Sequence, residues 1–128
     1  GEMQPTCQQD STAVGLVGVP YRDGGSDPAG FDCSGFVHYV FGSHGWRVPR
    51  TVTAQYAAGQ PVRDGDVRPG DLLFFATLGD GPTHVAIALE SGRFVHAPSG
   101  RGRVRVESFS GRYWPPRYLG ARRVAAAP

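Results

Sequence analysis

The chain has 128 residues, 40% of them hydrophobic and 19% charged, which is enough for one domain with its own core and too little for two. A net charge of +2 gives no reason to expect nucleic acid as a partner, and no apolar run reaches the ~20 residues of a transmembrane helix. Nineteen glycines and eleven prolines predict many turns and short elements rather than a helical bundle.

Residues 1–10 are polar and read as a flexible tail, with residues 11–128 forming a single domain. The start, Gly1-Glu2-Met3-Gln4-Pro5, carries no signal peptide and suggests a trimmed mature form. Asp10 to Val17 suits a short helix closed by Gly18-Val19-Pro20, and Tyr21 to Gly25 is a turn with one aromatic. Asp27-Pro28-Ala29-Gly30 interrupts regular structure and delivers the chain to Asp32. Beyond it Phe36, Val37, Val40, Phe41 and His44 recur at helical spacing, with Asp32 as the natural N-cap and Gly42 to Gly45 as the end. Arg47 to Arg50 is extended, and Thr51 caps a helix running through Gln55 and Tyr56 to Gly59.

After Gly59 the period changes to alternating and short apolar runs. Strands are predicted at Leu72–Phe75, His84–Leu89, Arg93–Ala97, Val104–Val106 and Arg117–Val124. Helices first and strands later predict an α+β fold with an antiparallel sheet of about five to six strands.

The N-cap places Cys33 at the first helical position, where unpaired N–H groups and the helix dipole favour thiolate. Cys33 is therefore the candidate nucleophile. Two cysteines allow at most one disulfide, and pairing with Cys7 would silence Cys33; Cys7 reads as incidental or, alternatively, as a lipid attachment point. Among four histidines, His38 lies about 140° around the helix from Cys33, and His44 lies roughly 16 Å along it, so neither reaches the thiol. A three-residue loop Glu90-Ser91-Gly92, with Gly92 left-handed, would pair Leu89 with Arg93 and Ala86 with His96. That register puts His84 one diagonal step from His96 on the same face. His84 then suits a general base and His96 the group that orients it. The same three residues could instead ligate zinc, although they lack the close paired spacing of structural zinc sites.

Seven stretches in order resemble the NlpC family of bacterial cell-wall cysteine endopeptidases, a compact papain-like group. They are Val19–Gly25, Phe31–Val37, Val48–Thr51 with Gln55, Pro69–Phe75, Thr83–Ile87, Arg93–Ala97 and Tyr118–Arg123. The resemblance implies a papain-like fold, attack by Cys33, His84 as base, His96 as orienting residue, and Tyr21 beside the thiol as an oxyanion donor. It also implies that Asp32 and Ser34 contact the substrate's amine and carboxylate groups, with Arg50 and Arg63 looser candidates for carboxylate contacts. Without the family, Tyr21 reads equally as a packing aromatic. The implied reaction is hydrolysis of peptidoglycan stem peptides at the γ-D-glutamyl–diamino acid bond, through a thioester, with no metal or organic cofactor. A monomer acting in the cell envelope, the periplasm or outside the cell is expected, and the sequence identifies no inhibitor or immunity protein. The alternatives are a cysteine amidase or acyltransferase on another acyl substrate, and a non-catalytic wall-binding module.

Overall fold

The apolar runs after Gly59 assemble into one six-stranded antiparallel sheet, against which the N-terminal helices pack. The computed structural model describes residues 7–100 and 102–124. In chain order the elements are α1 (Cys7–Val14), a two-residue hairpin of β1 (Ser26–Asp27) and β2 (Gly30–Phe31), α2 (Cys33–Gly42), α3 (Val52–Ala58), β3 (Gln60–Val62), β4 (Leu72–Phe75), β5 (His84–Ala88), β6 (Arg93–His96), β7 (Arg105–Ser108) and β8 (Tyr118–Arg123). The large sheet has the order β3-β8-β4-β5-β6-β7. This is the α+β, papain-like arrangement the sequence predicts.

Every residue of β4 and β5 is buried, because these central strands are covered on both faces. One face meets α2: Leu72, Phe74, Val85, Ile87 and Val95 pack with Phe36, Val37, Val40 and Phe41. The alternate residues Leu73, Phe75, Ala86, Ala88 and Phe94 pack with Trp114 and Ala121 on the other face. Period-two alternation thus separates two cores within one sheet.

Three local features differ from the sequence reading. Helix α1 begins at Cys7 and ends at Val14, so residues 7–10 are helical rather than tail, and Gln9 is buried. The side chain of Cys7 and residues 1–6 lie outside the described residues. The Asp27–Gly30 interruption is the tip of the β1–β2 hairpin, in which Ser26 pairs with Phe31. Strand β3 is an unforeseen edge strand; it contains Pro61, which the outer position of a sheet tolerates.

The β5–β6 hairpin carries the predicted register. Ile87 faces Val95 and Ala88 faces Phe94, which extends to Ala86 opposite His96. Gly92 is left-handed, and Ser91 is too (φ 69° and 61°). The Arg93 N–H donates to the Glu90 carbonyl at 3.3 Å, closing a turn around these two residues and leaving Glu90 as the extra residue of the loop.

Candidate active site

Helix α2 starts where the sequence places it. The Asp32 carboxylate accepts the Gly35 N–H at 2.7 Å, capping the helix, and Cys33 is its first residue. Two glycines let the preceding turn close onto this end: a Cβ on Gly35 would overlap the Gly25 carbonyl oxygen, and one on Gly25 would overlap the Gly30 carbonyl. The buried Gln55 amide bridges the Ser34 carbonyl at 3.1 Å and the Pro49 carbonyl at 2.7 Å, tying α3 and the Arg50 segment to the start of α2.

The Cys33 Sγ lies at the beginning of β5, astride His84. It is 4.0 Å from the Thr83 carbonyl oxygen on one side and receives a hydrogen bond from the Val85 N–H on the other. Burial pushes the thiol up, helped by the Asp32 charge, and outweighs the N–H donors of Val85, Ser34 and Cys33. This corrects the expectation of a thiolate at rest: the helix terminus supplies its donors, but desolvation prevails.

His84 and His96 meet in a box of aromatic rings. His84 Nε2 lies 2.7 Å from His96 Nδ1, with His96 fully buried and His84 only 6% exposed. Trp114 stacks on His84 at 5.6 Å and stands edge-on to His96 at 5.2 Å, while Phe94 lies 5.0 Å from His96. Burial, with the neighbouring His96, drives His84 down to about 3, and burial also lowers His96 despite the pull of Glu107. Both imidazoles are neutral at neutral pH. The thiol and both imidazoles are therefore neutral together.

Tyr21 sits in the turn before β1, its N–H bonded to the Gly102 carbonyl at 2.9 Å. Burial and the nearby Cys33 push its hydroxyl up to about 12, so it is a hydrogen-bond donor at neutral pH. On the other side of Cys33, Arg50 reaches both Asp32 oxygens at 3.0 and 2.9 Å, the Ser34 hydroxyl at 3.0 Å and the Gly25 carbonyl at 3.3 Å. Asp32, Ser34 and Arg50 thus form one cluster flanking the thiol. Arg63 does not join it, being exposed after β3, three strands from β5 in the sheet.

His38 and His44 serve packing. His38 Nδ1 meets the Val48 carbonyl at 2.8 Å, and His44 Nε2 meets the Thr12 hydroxyl at 2.7 Å, fastening α1 to the end of α2. The zinc alternative loses one of its three ligands: His96 engages one ring nitrogen with His84 and the other with Glu107 at 2.6 Å. Among the described residues no three His, Cys, Asp or Glu side chains are grouped to hold a metal ion.

Sequence reasoning missed Glu107, Arg105 and Trp114. The alternation of Val104, Arg105, Val106 and Glu107 puts both charged residues on one face of β7. Joining that face to His96 requires the β6–β7 register, His96 opposite Arg105, which the intervening loop conceals.

Comparison with known proteins decides the family. The model described as "NlpC/P60 family" matches residues 18–123. The chain belongs to the NlpC/P60 family. A Bacillus subtilis (strain 168) protein named gamma-DL-glutamyl hydrolase is 39% identical over 122 residues, covering 92% of this chain and 30% of that protein. Murein DD-endopeptidase MepH of Escherichia coli (strain K12) is 40% identical over 113 residues, covering 84% of this chain and 42% of that protein. A crystal structure of an NlpC/P60 family protein from Bacillus cereus ATCC 10987 superposes with a TM-score of 0.89 at 32% identity, covering 95% of this chain and 41% of that one. The chain thus spans about a third to two fifths of the length of these relatives.

Proposed function

We propose that this NlpC/P60 domain is a cysteine peptidase that hydrolyses peptidoglycan stem peptides outside the cytoplasm, at the bond between γ-D-glutamyl and the diamino acid. The observation that carries the reading is the half-buried thiol of Cys33 against the backbone on either side of His84, with His96 bonded to that imidazole. The glutamyl bond is favoured by the name of the Bacillus subtilis relative, and the name of the Escherichia coli relative favours a DD cross-link as the second reading. Among the described residues no helix is long and apolar enough to cross a membrane.

With thiol and imidazole both neutral, the proton moves as the substrate is attacked. His84 takes the Cys33 proton while sulfur bonds to the scissile carbonyl carbon. The oxyanion that forms is stabilised by the Cys33 N–H at the helix terminus and by the Tyr21 hydroxyl. Collapse expels the amine, which leaves with the proton from the His84 imidazolium, and a thioester remains. Water then gives a proton to His84 and attacks the thioester carbonyl, and the released thiolate recovers that proton. Asp32, Ser34 and Arg50 take the role of binding the peptide's charged amine and carboxylate groups, since their cluster is partly open, with Arg50 35% and Asp32 20% exposed.

The test is mass spectrometry of L-Ala-γ-D-Glu-diaminopimelate tripeptide and of a DD-cross-linked dimer, each incubated with wild type and Cys33→Ala in the presence of chelator. Release of L-Ala-D-Glu by wild type alone is expected. Cleavage of the dimer alone would transfer the reading to the DD bond, and cleavage by both proteins would remove Cys33 as nucleophile.

A further inference from the structure

The contacts nearest the thiol leave open which nitrogen of His84 carries its proton. A neutral imidazole has one N–H and one bare lone pair, and only the bare nitrogen can take the proton of Cys33. Following the hydrogen bonds outward settles the matter three residues away, on β7.

Glu107 faces the back of His96. Its Oε2 lies 2.6 Å from His96 Nε2 and 2.9 Å from the Arg105 Nε, and its Oε1 accepts the Trp114 Nε1–H at 3.2 Å. Burial alone would push this carboxyl up, but the hydrogen bonds from His96, Arg105 and Trp114 prevail and hold it below the ordinary carboxylate value. Glu107 is therefore ionised and can only accept. His96 Nε2 must be the N–H that donates to it, which leaves His96 Nδ1 bare. His84 Nε2, 2.7 Å from that bare nitrogen, must in turn be an N–H, and His84 Nδ1 is left with the free lone pair. We propose that Glu107 is a positioning residue for the nucleophile pair: through two consecutive hydrogen bonds it fixes the tautomers of His96 and His84 so that His84 Nδ1 is bare to receive the thiol proton.

This inference rests on the peptidase reading only for the direction of proton transfer. The opposite arrangement, His96 Nδ1–H donating to His84 Nε2, makes an equally good bond between the rings but blocks Nδ1 with a proton. Nothing in the pair itself chooses between the two, and Glu107 does. The charged and titratable groups facing this chain are Arg105 on β7, His84 and His96 on β5 and β6, and Cys33 with Asp32 at the start of α2. Arg105 touches Glu107 from the solvent side, and Trp114 joins the two ends, holding Glu107 by its N–H and stacking on His84 by its ring.

The experiment is nitrogen-15 NMR of histidine-labelled protein at pH 7, read beside the rate at which iodoacetamide alkylates Cys33. Neither measurement uses a peptidoglycan substrate, so their failure is separable from failure of the proposed bond specificity. Wild type is expected to show His84 and His96 both as Nε2–H tautomers. Glu107→Leu is expected to give mixed tautomers, alkylation slowed about 10-fold, and kcat reduced within the roughly 10²–10⁴-fold that a positioned base supplies, with KM little changed. Trp114→Phe keeps the ring and the Glu107–His96 bond, and is expected to keep both tautomers. An Nδ1–H signal from His84 in wild type overturns the proposal even where Glu107→Leu fails to fold. Unchanged tautomers with unchanged alkylation in a folded Glu107→Leu overturn it as well.

Discussion

The two flanks of Cys33 solve opposite electrostatic problems with similar residues. On one flank Asp32 and Arg50 form a charged pair with partial exposure, four hydrogen bonds from one guanidinium, and the helix N-cap built in. On the other, His84 and His96 are sealed among Trp114, Phe94 and Phe75, and charge reappears only at Glu107, where Arg105 opens to solvent. Water contact lets the first flank keep a charged pair. Its exclusion from the second keeps the imidazoles neutral and makes their hydrogen-bond pattern directional. A base that stays neutral can receive a proton, and an ion pair that stays exposed can exchange partners.

The comparison is broken most completely at the junction. Cys33→Ala is expected to reduce hydrolysis to background while thermal melting shifts only slightly, since one half-buried sulfur is lost; retained turnover would remove the nucleophile. His96→Ala comes next, with turnover falling roughly 10²–10⁴-fold and the thiol still alkylated, more slowly, because the base loses its orientation but not its place. Unchanged turnover would leave His96 a purely structural residue.

The pH dependence of stability tests the sealed flank, with one opposing group elsewhere. The unfolded chain takes up a proton at each histidine near pH 6.5, whereas folded His84 refuses one until about 3 and His96 is lowered too. Their contribution is complete above pH 6.5 and is lost as pH falls, at up to about 1.4 kcal/mol per pH unit for each histidine. Asp10 opposes this. Burial, with the charges of Glu90 and Asp71, raises its carboxyl from 3.8 to about 7, so its contribution grows as pH falls through the same window. Asp10→Asn, at a site where one carboxylate oxygen has no partner among the described residues, is expected to steepen the acid loss seen by chemical denaturation between pH 6.5 and 4. An unaltered slope would mean that Asp10 is ionised in the folded state.

Much of this arrangement was legible because its determinants are local. Asp32 ahead of an apolar helical stripe identifies α2 and puts Cys33 at its first position, and Gly92 sets the hairpin register that joins His84 to His96. The failures share one physical cause: they depend on what packs from far along the chain. Helix position alone argues for a thiolate at Cys33, but the covering of that thiol is a property of the folded sheet. Glu107 is invisible as a site residue because the loop from Ala97 to Val104 hides the register of β7. Tyr21 reads, from its own turn alone, equally as a packing aromatic; the backbone partners that seat it, Phe31 and Gly102, lie outside that turn. Strand β3 has too few apolar residues to announce itself, and exists because β8 offers it an edge.

The smallest expected effect sharpens the open flank. Arg50→Lys keeps the charge but cannot reproduce four contacts with one ammonium group, because the planar fork that reaches Asp32, Ser34 and Gly25 together is lost. The pair is partly exposed, so the stability cost should be about 1 kcal/mol or less, read as a melting shift of a few degrees. The helix remains capped, since Asp32 holds the Gly35 N–H independently of Arg50. If the flank binds the peptide's charged ends, KM rises several-fold while kcat and the alkylation rate of Cys33 stay near wild type. A fall in kcat at constant KM would instead mean that Arg50 acts on the thiol through Asp32, whose charge raises the thiol and whose neutralisation by the guanidinium would then be part of the chemistry.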